Sequence, residues 1–463
     1  MTDTVRPQAI LVAVRLPDMD AAQSDASLEE LTRLVTTLGY DVVERIVQSR
    51  THLAPAAVLG EGKLQQLAKL TGGSGRTRPI LPQTRSKDQP DDTEDDFDDD
   101  ADVGQDADAD FDDDAPARDR QPEIALVAVD LDISPSQLRN LERATGVPVL
   151  DRTGIIIEIF HRHAQSREAK LQVEIARLAY EAPRLRESPK SKERQAGRGA
   201  GEAALELDRR KIRDRIAELR RELTAIQREQ DVRRRHRRGA RRVALVGYTN
   251  AGKSSLMRAL TSSEVYVEDK LFATLDTTVR ALQPEAKPRI LISDTVGFIK
   301  KLPHDLVASF KSTLDEAHEA SLLLHIVDAA DASFREQLEV TQSVLREIGA
   351  DQVPHRLVMN KVDRLSPEAL AELQAELPDA WFISAKNPDD VKSVRARIID
   401  FFESRYAEAE LCVPYSAQRL VSEMHDQGRV VSERYEDDGV KVTFRGDPEV
   451  VAAFRARLLR GEA

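Results

Sequence analysis

One nine-residue segment constrains the fold of this chain more than any other. Residues 247–255 read Gly-Tyr-Thr-Asn-Ala-Gly-Lys-Ser-Ser, after the apolar run Val-Ala-Leu-Val and before the helix-like run Leu-Met-Arg-Ala-Leu. The pattern Gly-x4-Gly-Lys-Ser between a buried strand and a helix start is typical of a phosphate-binding loop, or P-loop. The alternative is a glycine-rich strand-to-helix turn that carries an exposed lysine.

The residue types in this loop suit a nucleotide. Gly247 and Gly252 allow backbone N–H groups to turn toward a phosphate, and the following helix adds the positive end of its dipole. Lys253 can reach the β- and γ-phosphates, and Ser254 can offer its hydroxyl oxygen to Mg2+. The loop therefore predicts a nucleoside triphosphate site that includes magnesium.

Apolar strands alternate with helices after this loop. We predict strands at 290–293, 322–327, 356–359 and 381–383, which is the rhythm of a doubly wound α/β sheet. Ligands bind such sheets at the carboxyl ends of the strands, and three further motifs lie at those ends.

The three motifs select a guanine nucleotide. Asp-Thr-Val-Gly at 294–297 places a carboxylate for Mg2+ and a glycine N–H for the γ-phosphate. In Asn-Lys-Val-Asp at 360–363, the Asp can accept hydrogen bonds from both N1–H and N2–H2 of guanine, which adenine does not present in that form. Ser-Ala-Lys at 384–386 can place a backbone N–H on guanine O6. Each motif alone could be loop filler, but together they predict GTP binding. The predicted GTP-binding residues are Gly247, Tyr248, Thr249, Asn250, Ala251, Gly252, Lys253, Ser254, Ser255, Asp294, Thr295, Val296, Gly297, Asn360, Lys361, Asp363, Ser384, Ala385 and Lys386.

The sequence closely resembles the HflX family of translation-factor-related GTPases. The resemblance rests on the P-loop, on Leu-Phe-Ala-Thr-Leu-Asp at 271–276 and on Asp-Thr-Val-Gly-Phe-Ile at 294–299. Asp-Arg-Thr-Gly at 151–154 and Gln-Val-Glu at 172–174 match as well. The resemblance implies an α/β fold in which a P-loop GTPase domain follows an α/β plus helical-hairpin domain. The pattern of residues 407–463 predicts a small α+β domain after the GTPase domain. The predicted domains are residues 1–160, 161–239, 240–406 and 407–463.

The resemblance also implies a function. Members of the family are ribosome-associated GTPases that bind the large (50S) subunit and its rRNA and can split 70S ribosomes, typically under stress. The competing interpretation is an RNA- or ribosome-binding regulatory GTPase switch without splitting activity. In the family, a glycine-rich hairpin tip reaches toward the peptidyl-transferase centre. Here the tip reads Gly-Ala-Gly-Glu-Ala at 199–203 instead of Gly-Pro-Gly-Glu-Thr, which predicts a looser loop.

Three residues are predicted to take part in hydrolysis: Lys253, Thr274 and Gly297. By resemblance, Thr274 is the switch I threonine that closes on Mg2+ and the γ-phosphate, with Thr277 and Thr278 as alternatives. The predicted Mg2+ ligands are Ser254, Thr274 and Asp294.

Phe298 stands where many GTPases carry a water-positioning Gln. A phenyl ring cannot orient water by hydrogen bonding. Either Phe298 only packs switch II, or intrinsic hydrolysis is slow and requires the ribosome or a reordered switch. Asn250 resembles the residue that helps to hold K+ in some related GTPases.

The N-terminal unit is predicted to be α/β, with strands at 9–14, 41–47 and 124–129. Ser27 is the predicted N-cap of a helix that ends at Gly39. Gly-Glu-Gly-Lys at 60–63 resembles half a phosphate loop but lacks the second glycine spacing and the following hydroxyl. We interpret it as a turn in which both glycines adopt unusual backbone angles.

An acidic insertion at about 71–122 interrupts this unit. Residues 88–114 contain sixteen Asp and Glu and no Lys or Arg, so the formal charge of −13 becomes +3 without them. Repulsion and the scarcity of apolar residues predict disorder. We expect this stretch to compete with rRNA for the basic hairpin.

The hairpin region is strongly basic. Its helical pattern begins at His161 and stops at Pro183, and a second helix is predicted at about 202–238. Residues 184–242 contain 21 Lys and Arg against 10 Asp and Glu. A solvated helix face is the ordinary explanation, but the arginine run and the Gly-Arg-Gly tip favour contact with RNA phosphates. The predicted RNA contacts are Arg198, Arg233, Arg234, Arg235, Arg237 and Arg238.

Composition excludes some classes of protein. No apolar run reaches the eighteen or so residues of a membrane span, and the single Cys412 excludes an internal disulfide and a cysteine metal cluster. We therefore expect a cytoplasmic protein, and we separately expect it to be a monomer.

Overall fold

The computed structural model describes residues 6–17, 19–77, 124–185, 200–235, 241–262, 271–272, 278–300 and 311–460. The side chains of 200–205, 230–235 and 311–314 are outside this description. So are the acidic stretch at 88–114 and the predicted site residues Arg198, Arg237, Arg238 and Thr274. The chain forms two compact units, Met1–Arg152 and Thr153–Ala463.

The N-terminal unit is built on a four-stranded parallel sheet with strand order β2-β1-β3-β4. Its strands are β1 (Gln8–Arg15), β2 (Asp41–Ser49), β3 (Ile124–Val129) and β4 (Val149–Asp151), and its helices are α1 (Ala21–Thr37), α2 (Glu61–Thr71) and α3 (Pro135–Thr145). Because β3 pairs with β1, the segment that contains the acidic stretch is inserted within one sheet rather than between two domains.

Two local predictions for this unit are wrong. Helix α1 begins two turns before Ser27, because the Asp20 carboxylate accepts the Gln23 N–H in a capping box that satisfies the start of the helix. Gly60 has an ordinary extended conformation (φ −73°), and Gly62 lies inside α2. A Cβ at Gly60 would meet the Arg50 guanidinium, which is the far end of a flexible side chain and can move aside.

Arg152 ends this unit and is almost fully buried. Its guanidinium donates to Asp130 Oδ1 at 2.8 Å and also pairs with Glu30. A buried charge is tolerated only with such partners. The Asp-Arg-Thr-Gly motif therefore has a structural role in the N-terminal unit.

The second unit begins with helices α4 (Arg152–His163), α5 (Arg167–Glu181) and α6 (Ala200–Arg235). The helical pattern was predicted to begin only at His161. The isoleucine-rich run before it is buried on nearly every side, so it carries no helical periodicity in the sequence. Helices α5 and α6 pack antiparallel through Leu171, Ile175, Leu219 and Leu223.

The GTPase-like part of this unit has a six-stranded sheet with order β10-β9-β8-β5-β7-β6, parallel except for β6. Its strands are β5 (Arg241–Gly247), β6 (Thr278–Ala281), β7 (Ile290–Asp294), β8 (Leu322–Asp328), β9 (His355–Asn360) and β10 (Trp381–Phe382). Its helices are α7 (Lys253–Thr261), α8 (Lys311–His318), α9 (Phe334–Glu347), α10 (Pro367–Glu376) and α11 (Pro388–Glu403). The predicted strands are confirmed, and α7 and α11 pack on one apolar face of the sheet.

A small α+β domain ends the chain. Its antiparallel sheet has the order β11-β13-β12. The elements are β11 (Ala407–Val413), α12 (Arg419–Gln427), β12 (Arg429–Glu436), β13 (Gly439–Gly446) and α13 (Pro448–Arg460). The predicted fold class is confirmed; the domain boundaries stay predictions. Among the helices described here, none is long and apolar enough to cross a membrane.

Candidate nucleotide-binding site

The P-loop lies between β5 and α7, where the sheet geometry requires glycine at two positions. Gly247 has φ +149°, and a Cβ there would collide with the carbonyl oxygen of Ile326 on β8. Gly252 has φ +96°, and a Cβ there would collide with the side-chain amide of Asn360. The loop thus combines left-handed backbone with close approach of neighbouring loops.

Lys253 is the first residue of α7 and is 6% exposed. Its ammonium folds back over the loop and donates to the carbonyl oxygens of Gly247 (3.1 Å) and Tyr248 (2.7 Å). Burial lowers the pKa of Lys253 from 10.5 to about 8, although Asp294 opposes the shift. The charge is thus held beside the backbone that is expected to cradle phosphates.

Ser254 and Asp294 meet at the mouth of the loop. Ser254 Oγ donates to Asp294 Oδ2 at 2.6 Å, and Asp294 is fully buried at the end of β7. A hydroxyl and a carboxylate are hard oxygen donors of the kind that Mg2+ prefers. Ser255 lies in the same turn of α7 as Ser254. The adjacent Thr295 is tied to the sheet, because its hydroxyl donates to Leu245 O at 2.7 Å.

The segment that follows Asp294 pairs with the P-loop. Phe298 N–H donates to Gly247 O (3.1 Å), and Thr249 N–H donates to Phe298 O (2.8 Å). The hydroxyl of Tyr248 accepts the Lys300 N–H at 2.7 Å. Val296 and Phe298 are both buried. Sequence reasoning placed Tyr248 at the nucleotide but missed this side-chain contact with switch II.

Asn360 joins two loops of the site. Its Nδ2 donates to Ala251 O at 2.9 Å, and its Oδ1 accepts the Ala385 N–H at 3.0 Å. Lys361, with φ +63°, donates to Asn250 O and to Asp328 Oδ2, both at 2.7 Å. Sequence reasoning missed Asp328, although a carboxylate at the end of β8 was the available signal.

Two loops are expected to bind the base: one after β9 contains Asp363, and one after β10 contains Ser384. The Ser384 hydroxyl, which hydrogen-bonds the carboxylate, holds the pKa of Asp363 below its ordinary value, with help from Lys386. Ser384 N–H donates to Asp390 Oδ2 at 2.8 Å, and Lys386 N–H donates to Ser384 Oγ at 3.3 Å. The carboxylate is therefore ionised and held beside the Ser-Ala-Lys turn.

The side chains of the six predicted RNA contacts lie outside the described part of the structure. Arg233, Arg234 and Arg235 lie in the last turn of α6, but their side chains are outside the described set, and the other three arginines lie outside it altogether.

Comparison with known proteins gives the family. The model for the "50S ribosome-binding GTPase" matches residues 242–361. The "GTP-binding GTPase Middle Region" matches 163–237, and the "GTP-binding GTPase N-terminal" matches 25–80 and 116–161, leaving a gap where the acidic stretch lies. GTPase HflX of Gluconacetobacter diazotrophicus is 56% identical over 98% of both chains. That of Escherichia coli is 34% identical over 93% of this chain and 91% of its own.

The chain belongs to the HflX family of GTPases. The resemblance stated from the motifs is thereby confirmed. For this HflX-family chain, the four loops at the carboxyl edge of the six-stranded sheet form the candidate GTP site.

Proposed function

We propose that this protein binds and hydrolyses GTP at the four-loop site and uses the cycle to bind the 50S subunit and split 70S ribosomes under stress. The observation that carries the GTP site is the pair of hydrogen bonds from Asn360 to Ala251 and Ala385, which joins the phosphate loop to the base loop. These bonds connect the P-loop to the Ser-Ala-Lys loop at 384–386, more than a hundred residues further along the chain.

The phosphate end follows from the P-loop geometry. Backbone N–H groups of residues 247–255 bind the phosphates, Lys253 neutralises the β- and γ-phosphates, and Gly297 N–H faces the γ-phosphate. Ser254 and Asp294, with Thr274, would hold Mg2+, which would supply charge neutralisation at the phosphates. The distance of 2.6 Å between Ser254 Oγ and Asp294 Oδ2 supports this donor set.

The base end follows from charge. The ionised Asp363 accepts the two N–H donors of guanine, and the turn at 384–386 supplies an N–H toward O6. Asn250 is the residue proposed for K+, which predicts faster hydrolysis in potassium than in sodium salts.

Ribosome contact is assigned to the basic region. The excess of eleven positive charges over residues 184–242 supports phosphate contact with rRNA, and several α6 arginines are already engaged by Glu side chains, as in Arg215 with Glu174 and Glu218. The run at 233–238 is the most concentrated group of arginines in this region. We infer a cytoplasmic monomer acting on a large rRNA surface.

Calorimetry and light scattering test this function. Titration with GDP and GTP in magnesium should give saturable binding, while ATP should not bind. Light scattering of 70S ribosomes should fall after the protein is added with GTP or a nonhydrolysable analogue. A regulatory switch without splitting activity would bind ribosomes yet leave the scattering unchanged, and absence of guanine-nucleotide binding would refute the site itself.

A further inference from the structure

The position after Gly297 cannot orient water for GTP hydrolysis. Phe298 is 1% exposed, and its backbone N–H and C=O are bound to Gly247 and Thr249 of the P-loop. Its side chain has neither a donor nor an acceptor. If the water is oriented by this chain, the orienting group must come from another residue near the γ-phosphate.

Thr249, in the P-loop, carries a hydroxyl with no assigned role. The residue is 7% exposed, and Thr249 Oγ1 is buried with no hydrogen-bond partner among the residues that the structure describes. Its backbone N–H is already used, because it donates to Phe298 O. A buried hydroxyl without a partner is costly, so its retention calls for a ligand that completes it.

The surroundings of Thr249 place it beside the reacting phosphate. A Cβ built on Gly297 would lie 2.9 Å from Lys253 Nζ, 2.9 Å from Thr249 Cα and 3.0 Å from Thr249 Cγ2. The Lys253 ammonium, Gly297 and the Thr249 side chain therefore lie within about 3 Å of the same position. Cγ2 and Oγ1 share the same Cβ, and one χ1 step of about 120° exchanges them.

We propose that the Thr249 hydroxyl orients the attacking water. This inference rests on the GTP hydrolysis argued above. A hydroxyl both accepts and donates, as the Gln amide does, so Thr249 Oγ1 accepts a hydrogen bond from the water and donates its own proton to a γ-phosphate oxygen.

The step balances without a change at Thr249. The water oxygen forms a bond to Pγ, and the bond from Pγ to the β–γ bridging oxygen breaks with its electron pair remaining on the β-phosphate of GDP. A proton of the water passes to an oxygen of the departing phosphate. Thr249 keeps its proton throughout.

Two substitutions at one position test this role. Thr249→Val keeps the branched shape and removes the hydroxyl, whereas Thr249→Ser keeps the hydroxyl and removes the methyl. Thr341→Val, in α9, is the matched control, because Thr341 is fully buried and its hydroxyl donates to Gln337 O within the same helix. Single-turnover GTP hydrolysis and the dissociation constants for GTP and GDP are measured for each variant.

Thr249→Val should slow single-turnover hydrolysis by about tenfold or more, while the dissociation constant for GDP, which lacks the γ-phosphate, stays within about twofold. Thr249→Ser should remain within about threefold of the wild-type rate, and Thr341→Val should equal the wild type. A wild-type rate in Thr249→Val, or equal losses in the Val and Ser variants, would overturn the proposal. If the wild-type protein itself neither binds nor hydrolyses GTP, the proposed function fails instead.

Discussion

Asn360→Ala should disconnect the phosphate loop from the base loop. The Asn360 side chain is 1% exposed and makes two hydrogen bonds, to Ala251 O and from Ala385 N–H. Removing it leaves a buried carbonyl and a partly buried N–H without these partners, at about 1–2 kcal/mol each. The total of roughly 2–4 kcal/mol is divided between folding and nucleotide binding.

The assay is fluorescence titration with GDP and GTP. Since both loops contact either nucleotide, both affinities should fall by about tenfold or more and by the same factor, which corresponds to about 1.4 kcal/mol of the total. Asn140→Ala is the control, because the buried Asn140 side chain also donates a hydrogen bond from its amide to a backbone carbonyl, Ala56 O at 2.8 Å, but does so in the N-terminal unit. It should lower the melting temperature and leave both affinities unchanged. If Asn360→Ala bound GDP and GTP within twofold of the wild type, the bridging argument would be refuted.

Three further outcomes follow from the structure. Because burial lowers the pKa of Lys253 to about 8, GDP affinity should fall as the pH rises from 7 to 9. A GDP affinity that does not change with pH would contradict this prediction. In the nucleotide-free protein, Lys253 is protonated in the unfolded chain but neutral in the folded chain between about pH 8 and pH 10.5, so it makes the free energy of unfolding rise with pH in that window. Asp363→Asn should weaken GDP binding by about a hundredfold and favour a xanthine nucleotide, which offers a carbonyl where guanine has an amino group; competition titration measures both. The rings of Phe160 and Phe272 meet edge to face at 4.6 Å, and a double-mutant cycle with Leu at each should give about 0.5–1.5 kcal/mol of coupling in thermal unfolding, whereas additive effects would show that the contact is absent.

Local sequence rules were sufficient for much of this protein. The glycines at 247 and 252, the lysine and the serine are required by a strand–turn–helix that must cradle phosphates, and that requirement is written in consecutive residues. The alternation of strands and helices and the insertion of the acidic stretch within one unit were also predicted from the sequence. The start of α4 was predicted too late, because its residues are buried on nearly every side and show no helical periodicity of apolar and polar residues. The start of α1 was also predicted too late, because both Asp20 and Ser27 are suitable N-cap residues and the helix uses Asp20.

The contacts among the loops were decided by the tertiary structure alone. Asn360 bonds the carbonyl of Ala251 across 109 positions of the chain, and the pairing of Phe298 with Gly247 and Thr249 depends on how β5 and β7 lie in the sheet. The sequence determined which residue types stand at the strand ends. Which of their polar atoms meet a partner in the protein depends on distances of about 3 Å between segments far apart in the chain, and only the packed sheet sets those distances.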